Sequence, residues 1–272
     1  MLPLAFPALG GILYLTFSGA PDRYAAINGA ALVAGLAWIQ FGRLPEALIW
    51  RRALACALLG LLALPLATGP HVEGVSRWLP LGLVALHSGM LAVPSLVALS
   101  ARDTPWGPWL LGCAAAAAAL QPDAASAAAI CLSALGIAWA RRSRSFAGVA
   151  GLAALAGIYA FGTGDLPPQP FVERVVQSLW AEHPIRAVAL ASLVAIGVWH
   201  FLVEPQITRA EGYALAGALT GFAALSFIGP YPSPLIGYGV APIVGFALAL
   251  GAAPKKERRP RGDMLDIVSR LR

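Results

Sequence analysis

The chain has 272 residues, 58% of them apolar and only 12% charged, and its mean hydropathy of +0.72 is far from that of a soluble domain with about a quarter of its residues charged. A soluble enzyme is excluded, and apolar runs of roughly 16 to 22 residues rich in Ala, Leu and Gly predict membrane-spanning helices rather than the alternating ten-residue strands of a barrel. The net charge of +6 does not mark a nucleic-acid binder, because the basic residues lie between apolar runs and in the C-terminal tail, where membrane topology puts them.

The expected fold is an all-α, polytopic bundle of about ten spans, near 2–19, 25–41, 53–69, 79–100, 105–120, 124–140, 146–162, 187–203, 211–228 and 236–252. Residues 1–253 then form the transmembrane domain and 254–272 a basic tail. The first span lacks the charged start and small-residue cleavage site of a signal peptide, so a retained helix is expected. With a cytoplasmic N-terminus, fifteen of the 19 Lys and Arg fall on the cytoplasmic side, while Arg23, Arg77, Arg174 and Arg186 are the four outside. This positive-inside bias supports an even span count with both termini cytoplasmic. The polybasic start of the tail, from Lys255 to Arg261, is expected to touch anionic lipid headgroups. Cys56, Cys113 and Cys131 lie inside apolar stretches without metal-ligand spacing and read as packing residues.

Between the fifth and sixth spans stands Leu120-Gln121-Pro122-Asp123. A carboxylate between two apolar spans must sit at a helix end, face water or find a partner, and Pro122 favours a tight turn with Asp123 capping the next helix. The other outer segments carry few charges. Arg77 and Arg174 are outer cations, Trp78 and Trp180 suit the interfacial belt, and Asp123, Asp165, Glu173 and Glu182 are acids that can face them. No phosphate loop, nucleophile elbow or zinc or iron spacing occurs, and the four histidines are scattered, His87 and His200 within or near spans, where hydrogen-bonded packing is the expected role.

Three ordered segments resemble the SEDS family, the FtsW- and RodA-like proteins. Glu73-Gly74-Val75-Ser76-Arg77-Trp78-Leu79-Pro80-Leu81-Gly82 is similar to its outer-loop Gly-x-x-Arg-Trp stretch. Leu120-Gln121-Pro122-Asp123 is similar to its Gln-Pro-Asp turn, and Gly229-Pro230-Tyr231-Pro232-Ser233-Pro234-Leu235-Ile236-Gly237-Tyr238-Gly239 to the Ser-Tyr-Gly-Gly segment before the last span. Residues 170–178 resemble the start of the family's long outer loop.

The resemblance implies a shortened, divergent member of a family that polymerises lipid-linked disaccharide into peptidoglycan at the outer face of the bacterial inner membrane. The implied partner is a transpeptidase-like single-span protein. By position Arg77 would hold phosphate, Trp78 would line the cavity, and Gln121, Asp123, Arg174 and Tyr238 would complete the substrate site. An acceptor hydroxyl needs a carboxylate base, and the departing diphosphate needs cations, from arginine or a divalent ion. The family's proposed catalytic aspartate is not matched: its stretch meets Glu182-His183-Pro184-Ile185-Arg186. The segment 86–93 also lacks the family's acid and lysine. Glu173 or Glu182 would then stand in as base. The alternative reading is a non-catalytic scaffold or regulatory subunit of a membrane complex, and a third is a transporter with a discontinuous helix at 229–239.

Overall fold

The computed structural model describes residues 1–42, 47–82, 84–164 and 166–252. In chain order the elements are α1 (Leu2–Phe17), α2 (Asp22–Phe41), α3 (Leu48–Ala63), α4 (Pro65–Thr68), β1 (Trp78–Leu81), β2 (Val84–His87), α5 (Ser88–Arg102), α6 (Gly107–Leu120), α7 (Ala124–Arg141), α8 (Arg144–Thr163), α9 (Val175–Glu182), α10 (Pro184–Val203), α11 (Arg209–Ile228) and α12 (Val240–Gly251). Among the described residues, six helical stretches are long and apolar enough to cross a membrane: Asp22–Phe41, Leu48–Thr68, Ala124–Arg141, Arg144–Thr163, Pro184–Val203 and Arg209–Ile228. The apolar helices Leu2–Phe17, Ser88–Arg102, Gly107–Leu120 and Val240–Gly251 are shorter. The chain is a multi-pass membrane protein.

Every predicted span has a helix at its position, with two departures. The apolar run from 79 is helical only from Ser88, because 78–87 folds back as an antiparallel hairpin in which Trp78 faces His87 and Leu81 faces Val84. Apart from this hairpin, the regular elements among the described residues are helical, as expected. The segment between α8 and α10 also holds an unpredicted helix, α9, whose Val175, Val176 and Leu179 are buried.

Lipid supplies no hydrophobic drive between helices, so close backbone approach through small residues does much of the packing. The α7–α11 contact shows it: a Cβ on Gly221 would come within 2.5 Å of the Ala129 backbone. Likewise α12 lies on α5 and α2, and a Cβ on Gly245 would stand 2.2 Å from the Met90 carbonyl.

The turns sort into two ends. At one end the Met1 amine lies 3.5 Å from Glu204, Arg52 pairs with Asp103, and Arg102 pairs with Glu211 and donates to the Ala252 carbonyl at 2.6 Å. Met1 and Ala252 therefore share this end. The opposite end gathers the start of α2, the hairpin, the 121–123 turn, and the 166–173 and 229–239 segments. The tail from 254, Arg43 and Asp165 lie outside the described residues.

Candidate functional site

The site is built by three loops that cross over the helix ends. Glu173 pairs with Pro232 in an isolated antiparallel bridge, Ser233 N–H donates to Val172 O at 2.8 Å, and Tyr238 N–H donates to Phe171 O at 2.7 Å. From below, the buried Asn28 of α2 donates to Gly237 O at 2.9 Å and accepts from Gly239 N–H at 3.2 Å. An amide inside an apolar helix needs such partners. Asn28 thus ties the 229–239 segment to the bundle.

Arg77 is buried. Its guanidinium stacks 4.6 Å from the Tyr231 ring centroid and donates one bond, at 3.4 Å, to the Pro230 carbonyl. Its Nε and Nη1 have no hydrogen-bond partner among the described residues. Behind it the 121–123 turn forms as expected. Asp123 caps α7, with Oδ1 accepting from Ser126 N–H at 3.1 Å and Oδ2 accepting from the Ser126 hydroxyl. Gln121 donates to the Leu62 carbonyl and lies 3.5 Å from the Ser88 hydroxyl, which it can accept.

His87 sits between these charges. Its Nδ1 accepts from Met90 N–H at 3.2 Å and so caps α5, which leaves the ring proton on Nε2, 3.6 Å from Asp123 Oδ2. Burial lowers its pKa to about 4, against the pull of Asp123 and with help from Arg77, so the imidazole is neutral at pH 7. Its contact with Asp123 is therefore not an ion pair. Burial also raises the Tyr231 phenol, with the Asp123 charge adding to it.

In front of this layer opens a cavity of about 550 Å³ lined by Trp78, His87, Glu173, Tyr238 and Tyr24 together with prolines of both loops. Trp78 meets the His87 ring edge-on at 5.2 Å, and Tyr238 stacks on Tyr24 at 3.7 Å and 6°. Glu173 is 4% exposed and accepts from Gln169 N–H at 3.0 Å. Burial raises its pKa to about 7, held back by that hydrogen bond and by the charges of Arg77 and Arg174.

Trp78, Glu173 and Tyr238 thus come together in one hollow. Arg77, Gln121 and Asp123 form the buried layer behind it, and Arg174 is exposed at the start of α9, close enough for Glu173 to sense its charge. Glu182 is exposed at the far end of α9, outside the lining, where its charge is felt by Tyr14. Sequence reading missed Tyr24, Asn28 and Tyr231. Of these, only Asn28, a buried amide in an apolar run, carried a signal.

Among the described residues no three His, Cys, Asp or Glu side chains stand together. Asp123 is already satisfied by Ser126 and Glu173 by Gln169.

No family model matches the sequence, and no curated protein matches it. Solved structures do. The rod shape determining protein RodA of Thermus thermophilus is 24% identical with a TM-score of 0.67, the match covering 92% of this chain and 93% of that one. An aspartate-to-alanine mutant of the same protein is 23% identical at a TM-score of 0.65, covering 92% and 94%. A chain from a structure described as "Structural coordination of polymerization and crosslinking by a peptidoglycan synthase complex" is 20% identical at a TM-score of 0.60, covering 92% and 94%. Across nearly its whole described length, the chain has the fold of RodA, a SEDS protein.

Proposed function

We propose that the protein is a SEDS-like component of peptidoglycan synthesis in the bacterial inner membrane, with ten crossings, cytoplasmic termini and a site for lipid-linked disaccharide at the outer face. The observation that carries this reading is the cavity with aromatic walls and one buried carboxyl poised near neutrality. Trp78 and Tyr238 offer flat faces to sugar or prenyl carbons. Glu173, ionised, accepts the proton of an acceptor sugar hydroxyl as its oxygen attacks the anomeric carbon of the donor. The bonding pair leaves with the lipid diphosphate. Arg77 and Arg174 supply positive charge on the side where that diphosphate's charge develops. No step is assigned to a divalent ion. The orientation rests on the excess of arginines at the end that holds Met1.

A second reading is favoured by one observation: Gln121 and Asp123 are engaged with the protein itself and, like Arg77, stand behind the hollow, as in a fold kept for assembly. In that case the protein is a scaffold beside a single-span, transpeptidase-like partner. The peptidoglycan synthase complex among the structural neighbours makes such a partner reasonable for either reading. Purified protein given lipid-linked disaccharide separates them. Polymer on a gel, abolished by Glu173→Gln and kept by Glu182→Gln, supports the enzyme. No polymer from the unaltered protein, with a stoichiometric membrane partner co-purifying, supports the scaffold.

A further inference from the structure

At the end of the bundle away from the cavity, α3, α5 and α6 enclose a cleft of about 290 Å³ including its open mouth, lined among others by Arg51, Arg52, Ser100, Arg102, Asp103 and Trp106. Its interior leaves about 20 Å³, room for one water-sized group. Three hydrogen-bonding atoms on this lining are buried with no partner among the described residues: Arg51 Nε, the Ser100 hydroxyl and Arg102 Nη2. Ser100 itself is 1% exposed. Buried donors are almost always paired, so three orphans around one space call for an acceptor.

Among the described residues, the carboxylates nearby are already engaged. Asp103 takes Arg52 in a two-point contact, Nε to Oδ2 at 2.7 Å and Nη2 to Oδ1 at 3.2 Å. Glu211 takes Arg102 Nε and the Thr208 N–H, the latter at 2.6 Å. Three guanidinium groups thus line a space with one carboxylate, already paired, and the cleft is positive as well as rich in donors. Arg52 is further fixed 5.2 Å from the Trp106 ring.

We propose that this cleft binds a phosphate oxyanion, one oxygen entering the narrow interior between Arg51, Ser100 and Arg102 and the remaining oxygens resting at the mouth. Guanidinium forks match phosphate geometry, and a charge-assisted contact is worth about twice a neutral one. The site lies at the ends of apolar helices, beside Trp50 and Trp109, which are 61% and 77% exposed and suited to headgroup depth. An anionic membrane lipid can present its phosphate there, and so can inorganic phosphate from solution.

Two binding arms on the purified, delipidated full-length protein test the assignment. One titrates phosphatidylglycerol and the other inorganic phosphate, each against the unaltered chain, Arg51→Gln, Ser100→Ala and Arg142→Gln, with circular dichroism to check folding. Arg142 is an exposed arginine of the same end and reports general attraction. Expected is about tenfold weaker binding for Arg51→Gln, several-fold weaker for Ser100→Ala, and little change for Arg142→Gln. The arm that shows this pattern names the source. If Arg51→Gln does not fold, the small Ser100→Ala change carries the test. Binding that ignores both substitutions, or that falls equally with Arg142→Gln, overturns the site.

Discussion

Glu173 occupies surroundings that work against its own ionisation. Burial raises its carboxyl from an ordinary 4.5 to about 7, and Arg77, Arg174 and one backbone N–H recover only part of the shift. A raised folded pKa means that the native state holds this proton more tightly than the unfolded chain does. Its contribution to stability is fully present below pH 4.5 and is lost as pH rises through 7. In the proposed base role the sign is opposite, because the carboxylate is free to take a proton only once its own is gone. Polymer formation is therefore expected to rise with pH about a midpoint near 7. Over the same interval, thermal unfolding in detergent should move to lower temperature. In Glu173→Gln polymer formation should be lost at every pH and the slope of the melting temperature should flatten while the protein stays folded, since the amide keeps the shape and the bond to Gln169. A pH–rate midpoint near 4.5, or an unaltered slope in the glutamine variant, would remove Glu173 from the base role. Sites commonly hold such a group at some cost to stability.

At the scale of elements, the hairpin and the start of α5 set the floor of the hollow, and their position depends on one missing side chain. Gly89 lies on the first turn of α5, where an added Cβ would stand 1.7 Å from the Ser126 hydroxyl and 2.9 Å from Asp123 Oδ2. The helix N-terminus can approach the Asp123 cap only because that Cβ is absent. Gly89→Ala should push Ser126 off Asp123, costing about 1–3 kcal/mol by overpacking. Combining it with Ser126→Ala should recover part of the loss, because the clashing oxygen is gone. Melting temperatures of the two single variants and the double variant, read as a cycle, measure this coupling, and simple additivity would show that the two residues do not meet. The same region shows what the sequence could not reveal. Residues 79–100 form one apolar run, and hydropathy does not separate a strand from a buried helix. What holds 78–87 back is partly tertiary, Arg77 bonded to Pro230 and Ser88 close to Gln121, and partly local, Gly82 at a φ of +61° in the turn. By contrast, the Gln-Pro-Asp turn was legible, because a proline and a carboxylate between two apolar runs have few places to go. Tyr24 was not, since an aromatic near a helix start reads as interfacial until its partner, 214 residues later, is known to stack on it.

The whole molecule is polarised along its helices. Arg51, Arg52, Arg102, Arg141, Arg142, Arg144 and Arg209 gather at the end that holds Met1, whereas Arg23, Arg77, Arg174 and Arg186 belong to the cavity end, two of them within or beside the site. Cationic loops are retained on the cytoplasmic side. The cavity end should therefore face outward. Cysteine labelling on intact cells checks this directly. His183 and Gln206 are exposed loop residues flanking α10, one at each end. The native cysteines lie within α3, α6 and α7, inside the apolar layer, and set the background. A membrane-impermeant maleimide is expected to label His183→Cys in intact cells and Gln206→Cys only after lysis. The reverse pattern would turn the cavity toward the cytoplasm and remove it from any outer-face chemistry. It would also put the arginine cleft at the outer leaflet, where phosphate could reach it only from that side.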